Sequence, residues 1–139
     1  MCAADPSLRV ILVVDDEPGV RRIVCYMLER GGFRTREAET GREALAELVS
    51  KPGGIALVLS DIRMPEMNGL ELEQAIRDEW PSLPVILMSG EVTREWVVRL
   101  VRDVPLRVMR KPFDQEELLH VVRELLDAGH RPGEEPRIG

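Results

Sequence analysis

The sequence has no excess of positive charge: 19 Lys and Arg residues stand against 25 Asp and Glu, a formal net charge of −6. Non-specific binding to nucleic-acid phosphates needs a basic face, so direct nucleic-acid binding is not expected, although a local basic patch fits within that total. Long hydrophobic runs are missing as well. No stretch approaches the roughly 18 uncharged apolar residues of a membrane helix, which excludes a helical membrane span. The opening residues, MCAADPSLRV, contain no apolar signal-peptide core. Cysteine is scarce: Cys2 falls in a predicted tail and Cys25 on a predicted helix, so neither a disulfide framework nor a zinc pattern exists. Cys25 reads as a reduced small residue in a cytosolic protein. A P-loop Gly-Lys-Ser/Thr element and a convincing flavin phosphate loop are also lacking, which weighs against a nucleotide- or flavin-dependent α/β enzyme.

What is present is one domain's worth of chain. Its 139 residues are 32% charged and 44% hydrophobic, a normal balance for a soluble globular domain with a real core. Four short apolar runs stand out: VILVV (10–14), IALVL (55–59), PVILM (84–88) and LRVM (106–109). The first three do not alternate with polar residues, which suits strands buried on both faces of a parallel sheet. A further strand is expected in the charged stretch FRTREAE (33–39), where charge protects a sheet edge.

Helical stripes lie between the strands. Val20, Ile23, Val24, Met27 and Leu28 form the first, with Pro18 suited to its start and Gly31-Gly32 to its stop. Ala44, Leu45, Leu48 and Val49 form the second; Leu72, Ala75 and Ile76 the third, closed by Trp80 before Pro81. Val92, Trp96, Val97, Leu100 and Val101 form the fourth. Leu118, Leu119, Val122, Leu125 and Leu126 form the fifth, with Asp114 as N-cap and Gly129 past the end. Strand–helix alternation of this kind predicts a doubly wound five-stranded parallel sheet, a flavodoxin-like (βα)5 fold. With the charged strand at an edge, the order is 2-1-3-4-5. The domain is placed at residues 8–128, between tails at 1–7 and 129–139.

In such a sheet, function sits outside the carboxyl ends of the strands, where the strand order reverses. Asp15-Asp16-Glu17 follow the first strand, Asp61 the third, Ser89-Gly90 the fourth and Lys111-Pro112 the fifth. Asp15-Asp16 alone would read as a helix cap. Together with Asp61 they would repel one another unless a cation joined them. Carboxylate oxygens without His or Cys select Mg²⁺ or Mn²⁺ over zinc. Mg²⁺ favours few protein ligands plus water and a phosphate, and Ser89 and Lys111 suit that phosphate. Asp61 is then a nucleophile able to take a phosphoryl group.

The fragments VVDDEP (13–18), SDIRMPEMNG (60–69), MSG (88–90) and RKPF (110–113) occur in the order and at the spacing of one family. On them the chain resembles a response-regulator receiver domain of two-component signalling. The resemblance implies Asp61 as phosphoacceptor, Asp16 as a direct Mg²⁺ ligand, Asp15 as a ligand through water, and the backbone carbonyl of Arg63 as the remaining protein ligand. It also implies Ser89 as the switch hydroxyl, Lys111 as the phosphate-binding lysine and a cis Lys111–Pro112 bond. The donor would be a histidine kinase or a histidine phosphotransfer protein. The output would be an unknown downstream protein, met by the surface of the fourth helix, fifth strand and fifth helix. A cytoplasmic location and no membrane contact are expected. The chain would support its own phosphotransfer and autodephosphorylation without being a free-standing enzyme.

Four positions depart from the family pattern or tune it. Val108 stands where Tyr or Phe is common, Gly90 where alanine is common, and Arg63 and Glu91 each lie two residues beyond a site residue, where phosphate lifetime is set. Two readings stand for Arg63 and Glu91: a pair across the pocket mouth, or two side chains that extend separately into solvent. Val108 and Gly90 leave open an alternative: a receiver-like adaptor that binds partners without phosphorylation. About 11 residues follow the last predicted helix, too few for a separate DNA-binding fold. The expectation is therefore a stand-alone regulator, or a receiver cut from a hybrid kinase or a longer regulator.

Overall fold

A computed structural model describes residues 9–90 and 107–129. Five strands, β1 (Val10–Val14), β2 (Arg34–Ala38), β3 (Leu57–Asp61), β4 (Val85–Ser89) and β5 (Arg107–Arg110), form one sheet in the order β2-β1-β3-β4-β5. Every pairing is parallel. The described helices are α1 (Pro18–Arg30), α2 (Gly41–Ser50), α3 (Gly69–Glu79) and α4 (Gln115–Gly129), the last being the predicted fifth helix. The predicted fourth helix, with Trp96 and Glu91, lies outside the described residues, as do both tails apart from Gly129.

Alternation explains the uninterrupted apolar runs. Ile11, Val13, Leu57 and Leu59 face a core shared with α1 and α4, whereas Leu12, Val14 and Val58 face one shared with α2 and α3. Each residue of a central strand thus has a packed partner, whichever face it points to. β2 differs. Of its five residues only Ala38 is buried, and two of its three charges are paired: Arg21 Nε donates to Glu37 at 2.7 Å and Arg36 Nε to Glu47 at 2.7 Å. The sheet edge is solvated by design of its side chains, as expected for an edge strand.

The helix ends follow their sequence signals. Pro18 opens α1 and Gly31 caps it. Asn68 and Glu71 exchange hydrogen bonds at the start of α3. Asp114 and Glu117 do the same before α4, with Asp114 Oδ1 accepting from Glu117 N at 2.8 Å.

Several boundaries and core assignments need correction. β3 begins at Leu57, not residue 55, and runs through Ser60 into Asp61; β4 runs into Ser89 and β5 into Arg110. Hydropathy marks where a strand is dry, but ladder pairing continues into the polar residues beyond it. Ile23 and Val49, expected on core stripes, are 57% and 67% exposed. Cys25 takes the place beside Val24 and Leu28 that Ile23 was expected to fill. Both flank the same stripe, and the helix turns its Cys25 side to the sheet. On α3, Glu73 is buried while Ala75 is only half-buried. Glu73 tolerates burial because the guanidinium of Arg77 pairs with it one turn on. Gly129 belongs to α4 rather than lying past its end, since a glycine can still carry the last turn.

Candidate functional site

β1, β3 and β5 end side by side, or one strand apart, and each ends on or just before a charge. Asp15 follows β1, Asp61 ends β3, and Lys111 follows β5. Carboxylate oxygens of Asp15, Asp16 and Asp61 all lie within 4.8 Å of one another. Asp15 and Asp61 are buried, and Asp16 is the most open of the three. Lys111 Nζ donates to Asp61 Oδ1 at 2.7 Å and lies 3.7 Å from Asp15 Oδ2. One ammonium therefore stands among three carboxylates.

The β1–α1 turn is held by its backbone. Asp15 N donates to the carbonyl of Ala38 at 3.1 Å, and Asp15 Oδ1 accepts from Glu17 N at 2.9 Å. Arg21, reaching back from α1, donates to the Asp15 carbonyl at 2.7 Å. Asp15 is therefore fixed in place while its other oxygen, Oδ2, is buried without a hydrogen-bond partner. The carboxylates do not cap α1: Glu17 is its N-cap residue and makes no side-chain cap bond. Burial, ahead of the neighbouring charges, raises the pKa of Asp15. For Lys111, burial acts against the charged form, but the hydrogen bond to Asp61 and the charges of Asp61 and Asp15 outweigh it, so its pKa is raised.

The β3–α3 loop brings α3 directly against the site. Gly69 N donates to the carbonyl of Ile62 at 2.8 Å. A Cβ at Gly69 would lie 2.4 Å from the Asp61 carbonyl oxygen. Only glycine admits so close an approach of helix to strand. Glu66 carries the turn at φ 69°, and Met64 and Met67 pack beneath the loop. Ser89 is buried at the end of β4, and its carbonyl accepts from Lys111 N at 2.8 Å. The Lys111–Pro112 peptide is cis.

The structure thus brings together Asp15, Asp16, Asp61 and Lys111, with Ser89 on the adjoining strand end. Arg63 is exposed on the loop after β3, and Gly90 is exposed after β4. Val108 pairs with Leu87 in the ladder and packs, half-buried, against the cluster of Ile62, Leu70 and Leu87. Sequence reasoning missed two residues. Arg21 had no signal beyond its helical position; Gly69 had one, as a glycine at a helix start where Asn68 already supplied the cap.

An acidic cluster and a lysine at the switch point of a 2-1-3-4-5 sheet define a receiver-type module. Comparison with known proteins places it within a family. The chain matches the response regulator receiver domain family over residues 11–123, and it belongs to that family. It is 33% identical over 128 residues to the DNA-binding transcriptional regulator NtrC of Salmonella typhimurium, covering 92% of this chain and 27% of the relative. It is 32% identical over 117 residues to the sensor kinase CckA of Brucella abortus, covering 84% of this chain and 12% of that protein. The chain therefore spans about a quarter or less of the length of these relatives. A CheY-like receiver domain protein of Methanospirillum hungatei superposes with a TM-score of 0.79 at 30% identity, over 91% of this chain and 100% of the other. No helix among the described residues is long and apolar enough to cross a membrane.

Proposed function

We propose that this receiver domain accepts a phosphoryl group on Asp61 from a phosphohistidine, presented by a histidine kinase or a histidine phosphotransfer protein in the cytoplasm. The observation that carries this reading is Asp15 Oδ2, buried beside Asp61 without a hydrogen-bond partner, with Lys111 Nζ 3.7 Å away, and within reach of a shared cation. A buried acceptor without a partner costs about 1–3 kcal/mol, and a hard divalent cation is the ligand that an all-carboxylate donor set suits. Asp15, Asp16, Asp61 and the carbonyl of Arg63 would hold Mg²⁺ or Mn²⁺. Bound there, the ion supplies charge neutralisation for the transferred phosphoryl oxygens.

This chain's residues do the rest. Lys111 holds Asp61 Oδ1, which orients the carboxylate. In the transfer, an Asp61 oxygen bonds to phosphorus as the P–N bond breaks, and the donor's ring nitrogen keeps the bonding pair. Ser89 and Lys111 then bind the phosphoryl oxygens. Movement of Ser89 would reach the neighbouring β5 and the surface of the fourth and fifth helices predicted from the sequence. Ile23 and Tyr26, exposed on α1 just beyond the site, offer apolar footing for the donor. Arg63, at the exposed rim, limits the approach of hydrolytic water, so Arg63→Ala should change acyl-phosphate lifetime several-fold, roughly the effect of 1 kcal/mol on a barrier.

The test is phosphotransfer profiling against purified, radiolabelled histidine kinases, with and without Mg²⁺. Transfer from a preferred kinase that needs the cation is expected. A chain that binds a kinase or downstream protein equally well with or without phosphorylation would favour the adaptor reading instead.

A further inference from the structure

At the amino ends of the strands, opposite Asp61, the approaches to β1, β3 and β4 surround an apolar cleft of about 500 Å³. That size falls within the roughly 300–1,000 Å³ of small-molecule sites. Leu48, Ile55, Trp80, Leu83 and Leu126 supply its walls. Two cationic side chains, Arg9 and Lys51, line it as well. Both residues are half-buried, and among the described residues neither forms a salt bridge, although the charge of Lys51 acts on Glu47 at longer range. Glu47, one turn before Lys51, is engaged by Arg36 through contacts of 2.7 and 3.2 Å. In a chain with a net charge of −6, two cations beside one apolar cleft form a local exception.

From this pairing we infer that the cleft binds a small amphiphile with an apolar body and a single carboxylate head, of the medium-chain alkyl carboxylate class. The apolar body would pack on Trp80 and Leu83 with the loss of water from both surfaces. The carboxylate would meet Lys51 as a point charge and Arg9 as a planar fork able to take both oxygens. A nucleotide or sugar phosphate would require a more polar wall than these side chains provide.

Decanoate, below its micellar concentration, is the probe, titrated by calorimetry into the full chain. Saturable one-to-one binding is expected, with no binding of decyltrimethylammonium. The double substitution Arg9→Glu with Lys51→Glu should weaken binding at least tenfold. Lys51→Gln, which keeps a polar side chain of nearly the same length and removes the charge, should weaken it several-fold even if the double variant folds poorly. Ser82→Trp, at an exposed position lining the cleft, should obstruct it. The inference is overturned by an absence of saturable decanoate binding, by equal binding of the cationic amphiphile, or by unchanged affinity in Lys51→Gln. It is also overturned if the chain forms a dimer through this face that decanoate does not disperse.

Discussion

At the carboxyl end of the sheet, three carboxylates and one ammonium crowd together, the backbone of α3 approaches to the limit that glycine allows, and one buried oxygen lacks a hydrogen bond. At the amino end of the same strands, the walls are apolar, two cations line them without a salt bridge among the described residues, and a cleft stays open. Both ends are built on the same three buried strands, β1, β3 and β4. What separates them is where close packing is used. The carboxyl end uses it to hold charges together against their repulsion, and the amino end leaves room. Substitutions that add bulk should therefore cost stability at the first end and be tolerated at the second, whereas removing a carboxylate at the first end should relieve repulsion.

The largest contrast is expected from Gly69→Ala. Its Cβ would meet the Asp61 carbonyl at 2.4 Å, and neither helix nor strand has a flexible group to yield. A loss of about 3 kcal/mol is expected in urea unfolding, against less than about 0.5 kcal/mol for Ser82→Ala at the amino end. Equal stabilities would show that α3 is free to shift and that its close approach does not position Asp61.

Asp15→Asn sharpens the electrostatic half of the comparison. The folded state raises the pKa of Asp15, chiefly by burial. A raised pKa means that the folded chain binds the proton more tightly than the unfolded chain. Stability from this group is thus fully present below the unfolded pKa, near 3.8, and is lost as pH rises through the higher folded value. At neutral pH without divalent cation, Asp15→Asn should be more stable than the wild type by roughly 1 kcal/mol, and the difference should vanish in acid. With Mg²⁺ the order should reverse, because the wild type alone gains fully from ligand linkage. Thermal melts with and without the cation, at two pH values, provide the check.

Val108→Tyr concerns readout. Val108 packs half-buried against Ile62, Leu70 and Leu87, one strand away from the line between Asp61 and Ser89. A larger ring must project outward from that cluster, so partner affinity should change more than the phosphorylation rate. Equal binding by both forms, phosphorylated or not, would count against a surface role for this position.

The smallest effect is at Cys25. Burial raises its thiol pKa to about 11, so the thiolate fraction at pH 8 is small and access is restricted. Alkylation of the native chain should be much slower than that of the urea-unfolded chain. Comparable rates would mean that α1 opens easily from the sheet.

Much of this was legible in the sequence, for identifiable reasons. Continuous apolar runs disclosed the central strands because parallel strands are buried on both faces, and the charged run 33–39 disclosed the edge. The strand order followed from that edge, and the gathering of Asp15, Asp16, Asp61, Ser89 and Lys111 followed from the order. Other features depend on information that composition does not carry. Ile23 and Cys25 flank one stripe, and only the angle at which α1 meets the sheet decides which is buried. The strands end later than hydropathy suggests because backbone pairing is indifferent to side-chain polarity. Arg21 reaches the Asp15 carbonyl across a turn, and the orphaned Asp15 Oδ2 exists only once that turn is closed.

The central claim is that the crowded end of the sheet is a phosphoryl-accepting site with Asp61 as its nucleophile. Incubation with a small-molecule phosphodonor such as acetyl phosphate, followed by intact-mass and peptide mass spectrometry, tests it most directly. The account predicts one Mg²⁺-dependent phosphoryl adduct on the wild type, located on the peptide containing Asp61, and none on a folded Asp61→Asn variant. Undiminished phosphorylation of Asp61→Asn, or an adduct on the wild type that forms equally well without a divalent cation, would contradict it.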